Sequence, residues 1–534
     1  MGLRNELTAG LTEGRLPSGL VLLCAAIAAA VVFPMAWLLI EAVTVDPVRA
    51  RELLFSRGTL EVLVNSLLLM VGVTGFSILL GVPLAYLTVR TDLPFRRFWS
   101  VAVALPLVVP SYVGAFAFVS AFGPRGEFHS LLSPLGVDRL PEVYGLPGAV
   151  FVITLYTYPY VYLTTRAALL TFDTRLLDAA RSLSHGRWAA FRRVTLPQIR
   201  PAIAAGALLT ALYAVSDFGT PAIMRLPVFT RQIYVEYNAF GRDYAALLSL
   251  QLLAIVLVVL ALEWLVRPDR TVRGDDADRT GSRVRLGAWR WPASLLPAAV
   301  TATALAVPVW ILLQWLVRAD GGRRPSMAFE WVQAVNSVSV AAAAAGVAAL
   351  AALPIAYFAA THETPLATLF ERTTYVGFAV PGIILALALV YFGAGYLPWV
   401  YQTLPLLVFA YVVRFLPQAV GSTRTSILQV DPKLVEAGRT LGEGPTGAFR
   451  RITFPLTRSG IVAGAALVFL TTMKELPVTL ILRPSGFETI VTQIWRAQET
   501  ALYQYAAVPA LLLLAISGLS MVVLLSQEGS DRGL

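Results

Sequence analysis

The segment LDAARSLSHGRWAAFRRVTLPQIRPAI, Leu177–Ile203, is an arginine-rich insert between two long apolar runs, and VEAGRTLGEGPTGAFRRITFPLTRSGI, Val435–Ile461, is its near copy 258 residues later. Each begins with an acid three residues before an arginine, Asp178 with Arg181 and Glu436 with Arg439, a spacing that puts both on one face of a helix. The pattern breaks at Ser184–Gly186 and at Gly442–Pro445, then resumes as a basic amphipathic stretch up to Leu196-Pro197 or Phe454-Pro455. Proline suits the first turn of a helix, so each copy reads as a surface helix-turn-helix leading into the next apolar run.

The surroundings of these inserts decide the fold class. Of 534 residues, 57% are hydrophobic and 14% charged, with a mean hydropathy of +0.70. That is too little charge to cover a soluble globule of this size, so the chain belongs in a bilayer. Windows of about 20 apolar residues find twelve candidate spans, near 19–42, 61–89, 98–122, 147–170, 199–219, 243–266, 292–317, 333–360, 373–393, 399–423, 458–481 and 502–526. The first run is longer than a signal-peptide core and reads as a retained helix.

Only Lys433 and Lys474 are lysines among 42 basic residues, and the net charge is +10. The arginines fall mostly in short gaps between apolar runs, which is the placement of a membrane protein and not of a nucleic-acid binder. With a cytoplasmic N-terminus, the first-half inner segments hold 18 arginines and the outer loops eight. The positive-inside rule therefore places both termini, and both arginine-rich inserts, in the cytoplasm. A single cysteine, Cys24, excludes a disulfide framework or a cysteine metal cluster within the chain. His129, His185 and His362 are scattered, no nucleophile has a base in register, and no GxxxxGK[ST] is present. The chain is expected not to be an enzyme and to hold no metal of its own.

The halves repeat. At a spacing of 271, Asn65-Ser66 matches Asn336-Ser337, Pro83 matches Pro354, Ala85-Tyr86 matches Ala356-Tyr357 and Pro110 matches Pro381. At 258, Pro159 matches Pro417, Arg166 matches Arg424, Phe191 matches Phe449, Asp217 matches Glu475 and Arg225 matches Arg483. The expected architecture is an all-α polytopic membrane protein of about 12 transmembrane helices in two homologous six-helix halves: residues 1–266, a cytoplasmic linker at 267–291, and residues 292–534. Six helices separate equivalent positions, so the repeats share one orientation about an axis along the membrane normal, with a path at their interface.

On these residues the chain resembles the permease subunits of ATP-binding cassette importers that work with a substrate-binding protein. Their cytoplasmic loop carries Glu-Ala-Ala, three residues, Gly, nine residues, then Ile-x-Leu-Pro. The first copy offers Asp178, Ala179, Ala180, Ser184, Val194, Leu196 and Pro197, and the second Glu436, Ala437, Gly438, Gly442, Ile452, Phe454 and Pro455. The resemblance implies a type I importer permease fold in a prokaryotic inner membrane. It also implies that the loops at about 171–200 and 425–458 are coupling loops, carried by these residues with Arg181, Gly186 and Arg439. They would grip two ATP-binding cassette subunits that use ATP and Mg, while a binding protein delivers cargo outside and this chain binds no cofactor. A lone basic loop would read as an anchor on anionic lipid; two copies in register point to protein docking. Among fused permeases the chain is most similar to ferric-iron importers, on SDFGTPAIMR (Ser216–Arg225) and MKELPVTLILRPSGF (Met473–Phe487). A thiamine, polyamine or phosphonate permease is the alternative, and an ion-gradient-driven secondary transporter or channel the alternative from another class.

Asp217 and Glu475 are candidates for the translocation path. Charges near a span are tolerated where they face a cavity or a partner. The other reading is that they pair with Arg225, Arg483 or helix ends and shape an outer gate. The cluster Tyr156, Tyr158, Tyr160 and Tyr162 reads as helix contact before it reads as a ligand set.

Overall fold

The computed structural model describes residues 18–123, 126–136, 143–172, 189, 191–266, 284–317 and 328–530. In chain order the elements that matter are α1 (Ser18–Thr44), α2 (Arg57–Arg90), α3 (Ser111–Phe122), α4 (Gly145–Leu170), α5 (Leu196–Ser216), α6 (Gly219–Ile223), α7 (Phe229–Asn238), α8 (Arg242–Val266), α9 (Val307–Val317), α10 (Trp331–Thr361), α11 (Pro365–Ala379), α12 (Gly382–Tyr396), α13 (Leu404–Leu428), α14 (Pro432–Thr440), α15 (Phe454–Met473), α16 (Pro477–Leu482), α17 (Ile490–Glu499) and α18 (Ala507–Ser530). Among the described residues no strand forms, apart from one isolated bridge between Thr91 and Val284, at the end of the linker.

Nine helices among the described residues are long and apolar enough to cross a membrane, and eleven if two bent pairs each count as one. A shorter apolar helix, Tyr503–Leu519, lies where the twelfth was expected. The bends fall in the expected spans 98–122 and 373–393. Arg96–Val108 meets α3 at 89°, and α11 meets α12 at 97°. The cause is local: Pro110 and Pro381 force the preceding Val109 and Val380 out of the helical region, to ψ 124° and 128°, so each helix must stop and restart.

Each repeat builds its centre from three mutually packed long helices: α2, α4 and α5 in the first, α10, α13 and α15 in the second. Small residues let the backbones close. A Cβ on Gly206 of α5 would stand 2.7 Å from Val161 Cα, and one on its equivalent, Gly464 of α15, 3.0 Å from Ala419 Cα. Close approach of this kind replaces a hydrophobic drive that lipid cannot supply.

The compact units do not divide where the sequence repeats do. One unit joins Met1–Ala50 to Phe329–Gln493, the other Arg51–Ala328 to Ile494–Leu534. In the first of these, α1 packs on α10, α11 and α12, burying Cys24, Ala28, Val31, Met35 and Leu38 along one face. Its Phe33 lies 4.8 Å from Phe392 and its Trp37 4.2 Å from Tyr396, centroid to centroid. In the other unit α9 packs on α3 and α18, with Ile311 against Ala117 and Ala121 and with Trp315 Nε1 donating to Ser120 Oγ at 3.2 Å. Each unit thus takes its first spanning helix from the other half of the sequence.

Candidate functional site

The second repeated loop is described throughout. Asp431 caps α14 by accepting from the Lys433 N–H at 2.9 Å. The helix ends in a Schellman turn: Glu443 N donates to Gly438 O and Gly442 N to Arg439 O, both at 3.1 Å, with Gly442 at φ +94°. A side chain at that position would cost roughly 1–2 kcal/mol. Gly438 faces the returning segment of the loop, where a Cβ would run into Ile452, and an ion pair between Glu443 and Arg451 spans the turn. Glu436, Ala437 and Arg439 are exposed on the opposite side. In the first loop, Asp178, Ala179, Ala180, Arg181, Ser184 and Gly186 lie outside the described residues.

Both loops return through a π-helical turn, Phe191–Thr195 and Phe449–Thr453, that runs straight into α5 or α15. The α-helix proper does begin with its proline in the first turn, as expected, but the continuous helical backbone starts earlier, at Phe191 in the first copy and at Pro445 in the second. Pro197 and Pro455 lack an N–H to bond the carbonyl four residues back, and their rings crowd that carbonyl, which widens the preceding turn. The turn presents the same aromatic contact in both repeats. Phe191 meets Tyr86 at 5.2 Å and Phe449 meets Tyr357 at 5.1 Å, each at an interplanar angle of 79°. This edge-to-face pair ties each loop to the end of its repeat's longest helix, α2 or α10. Tyr86 and Tyr357 were visible in sequence as matched residues; only the fold reveals what they touch.

At the far end of α5 and α15 stand the two acids. Asp217 is the first residue beyond α5, and its Oδ1 accepts from Ser111 Oγ at 3.0 Å; Tyr213 Oη in turn donates to Ser111 Oγ at 3.1 Å. Glu475 follows α15 by two residues and pairs through Oε2 with Arg414 Nε at 3.2 Å. Arg414 also donates to Val380 O at 2.8 Å, and a Cβ on Gly382 would stand 2.5 Å from Glu475 Oε1. Ser111 and Gly382 are the first residues of α3 and α12, so each acid docks at the helix start just past its repeat's bend. Peptide N–H groups at a helix start favour a carboxylate.

The pairing with Arg225 or Arg483 does not form. Arg483 instead meets Glu488 at 3.4 Å, and Arg225 stacks on Tyr144 at 4.9 Å. Among the described residues no basic side chain lies within ion-pair distance of Asp217, so the acids are alike in place and unlike in charge balance. Sequence reading had no means to find Arg414, because Tyr156 fills the matching position of the first repeat.

The repeated Asn-Ser dipeptides also gain a role. Asn65 Nδ2 donates to Pro227 O at 3.2 Å, and Ser66 Oγ accepts from the Phe229 N–H at 3.1 Å. Asn336 and Ser337 do the same to Glu488 O and the Ile490 N–H, both at 2.8 Å. Each pair, projecting from α2 or α10, caps the start of α7 or α17 and holds the chain beyond the acid in place. Three of the four clustered tyrosines are occupied with backbone carbonyls: Tyr156 bonds Ala304 O at 3.3 Å, Tyr158 bonds Val103 O at 2.6 Å and Tyr162 bonds Ser100 O at 3.1 Å, while Tyr160 lies 6.2 Å from Tyr213, centroid to centroid. Among the described residues no group of three or more His, Cys, Asp or Glu could hold a metal ion.

A family model described as binding-protein-dependent transport system inner membrane component matches residues 77–271 and 352–532. The Fe(3+)-transport system permease protein FbpB 2 of Haemophilus influenzae is 31% identical over 516 residues, covering 96% of this chain and 98% of that protein. The probable ABC transporter permease protein y4fN of Sinorhizobium fredii is 26% identical over 479 residues, 82% of each chain. The molybdenum transport system permease protein ModB of Escherichia coli is 30% identical over 213 residues, 37% of this chain and 90% of that one. A crystal structure of a bacterial ABC transporter involved in the import of the acidic polysaccharide alginate covers 44% of this chain and 88% of its own, at 20% identity and a TM-score of 0.36.

Proposed function

The chain belongs to the family of binding-protein-dependent transport system inner membrane components, and from that premise we propose that its cargo is ferric iron and that its repeated loops dock two ATPase subunits on the cytoplasmic side. The cargo rests on one observation, the end-to-end similarity to an Fe(3+)-transport permease. Uptake into proteoliposomes containing this chain, its ATPase subunits and a binding protein tests it. Radiolabelled ferric iron is expected to accumulate only with ATP; accumulation of thiamine and not iron would replace the cargo, and uptake driven by an ion gradient without ATP would remove the ATPase coupling.

The coupling rests on the loop geometry. ATPase closure moves the loop, and the Phe191–Tyr86 and Phe449–Tyr357 pairs carry that movement to α2 and α10. An edge-to-face pair contributes about 0.5–1.5 kcal/mol beyond its buried area. Replacing both Tyr86 and Tyr357 by Ala is expected to lower cargo moved per ATP several-fold while hydrolysis continues, whereas the two Phe replacements retain coupling. Parallel loss of hydrolysis and uptake would assign the tyrosines a purely structural role.

A further inference from the structure

The end of the first repeat remote from its coupling loop carries two arginines that have no acid paired with them among the described residues. Arg225 ends α6 in a Schellman turn, with its N–H on Ala222 O at 3.2 Å and Leu226 N on Pro221 O at 2.9 Å. It occupies the left-handed position of that turn at φ +55°, where glycine is the favoured residue. Counted back from the Asn-Ser clamp, the second repeat places Gly486 at this position, also left-handed at φ +78°. Holding a residue with a Cβ there costs roughly 1–2 kcal/mol, a cost that packing does not explain, since Arg225 is exposed.

Its guanidinium lies over the ring of Tyr144 at 4.9 Å, and Gly145 N anchors that segment to Met224 O at 2.8 Å. Arg231, half-buried on α7, has its ionisation pushed down by burial and by the like charge of Arg225. Among the described residues neither arginine has a carboxylate within ion-pair distance. In the second repeat Arg483 is neutralised by Glu488 and bonded to Phe487 O at 3.1 Å. Basic residues are also disfavoured in outer loops by the positive-inside bias. Two like charges, one on a strained backbone and both without a counter-charge among the described residues, are the pattern of a site completed from outside.

We propose that Arg225 and Arg231, with Tyr144 beneath the first, form a carboxylate-docking site for an acidic side chain of the cargo-delivering binding protein, on the first repeat only. This rests on the importer reading above. An arginine pre-oriented on an aromatic face offers a rigid fork to a carboxylate, and the second positive charge steers the approach.

The test uses the full transporter with its ATPase subunits in nanodiscs and the binding protein that drives iron uptake. Arg225→Gln with Arg231→Gln is expected to weaken binding-protein affinity by about tenfold, mainly in the association rate, and to remove most of its salt dependence. Basal ATP hydrolysis and ATPase co-purification should be unchanged. Arg225→Gly relaxes the turn while deleting the charge, so it should lose affinity even though the fold tolerates it. Unchanged affinity and salt dependence in the double variant would overturn the site alone. Competition by millimolar citrate at constant ionic strength would reassign it to a small anion. Failure of the unaltered transporter to bind any binding protein would overturn the importer reading with it.

Discussion

Reversing both loop acids, Asp178→Arg with Glu436→Arg, is expected to reduce ATP-driven uptake more than 100-fold while the protein remains in the membrane at normal abundance. Glu436 is exposed on α14, and among the described residues it makes no ion pair, so an exposed substitution there costs within about 0.5 kcal/mol of stability. A docking face is far less forgiving, because like charges placed opposite one another cost several kcal/mol at each of two contacts. Co-purification of the ATPase subunits separates the two effects: they should be lost from the variant and retained by the unaltered chain. Normal ATP-dependent uptake by the double variant would refute the docking role of both loops.

The second large effect is expected at the bend of the second repeat. Arg414→Met leaves Glu475 buried, at 8% exposure, without its counter-charge, and breaking such a pair costs about 3–5 kcal/mol. The variant should lose most of its folded protein in detergent, measured by fluorescence-detected size exclusion after a heat step. Adding Glu475→Gln removes the stranded charge and should restore the melting temperature to within a few degrees. Asp217→Asn should be nearly silent in the same assay, because among the described residues Asp217 has no ion pair to break. If Arg414→Met alone is as stable as the parent, the pair is dispensable. If the double variant folds but no longer transports, Glu475 acts in the path as well as in the bend.

Most of the candidate machinery was legible because duplication repeats it. Asn65-Ser66, Tyr86, Pro110, Phe191 and Asp217 each have a partner at fixed spacing, which marks them before any role is known. What they do was not legible. Pro110 and Pro381 lie inside runs apolar enough to pass as straight spans, since hydropathy averages over a proline that redirects the chain by about a right angle. Arg414 has no partner in the first repeat, and a comparison that looks for sameness passes over it.

The sequence by itself determined the helical membrane class, the duplication, the family and the loop that repeats, because these depend on composition, periodicity and motif, all local along the chain. Only the tertiary structure decided that α1 packs with the second half and α9 with the first, that each acid sits at the start of a helix beyond a bend, and that a π-helical turn carries each loop's phenylalanine onto a tyrosine of α2 or α10. The reason is physical: an apolar stripe states that a face will be covered but not by which neighbour. That choice is made by backbone shape, at glycines such as Gly206 and Gly464 where two helices can approach, and by the few polar contacts whose partners lie far away in sequence.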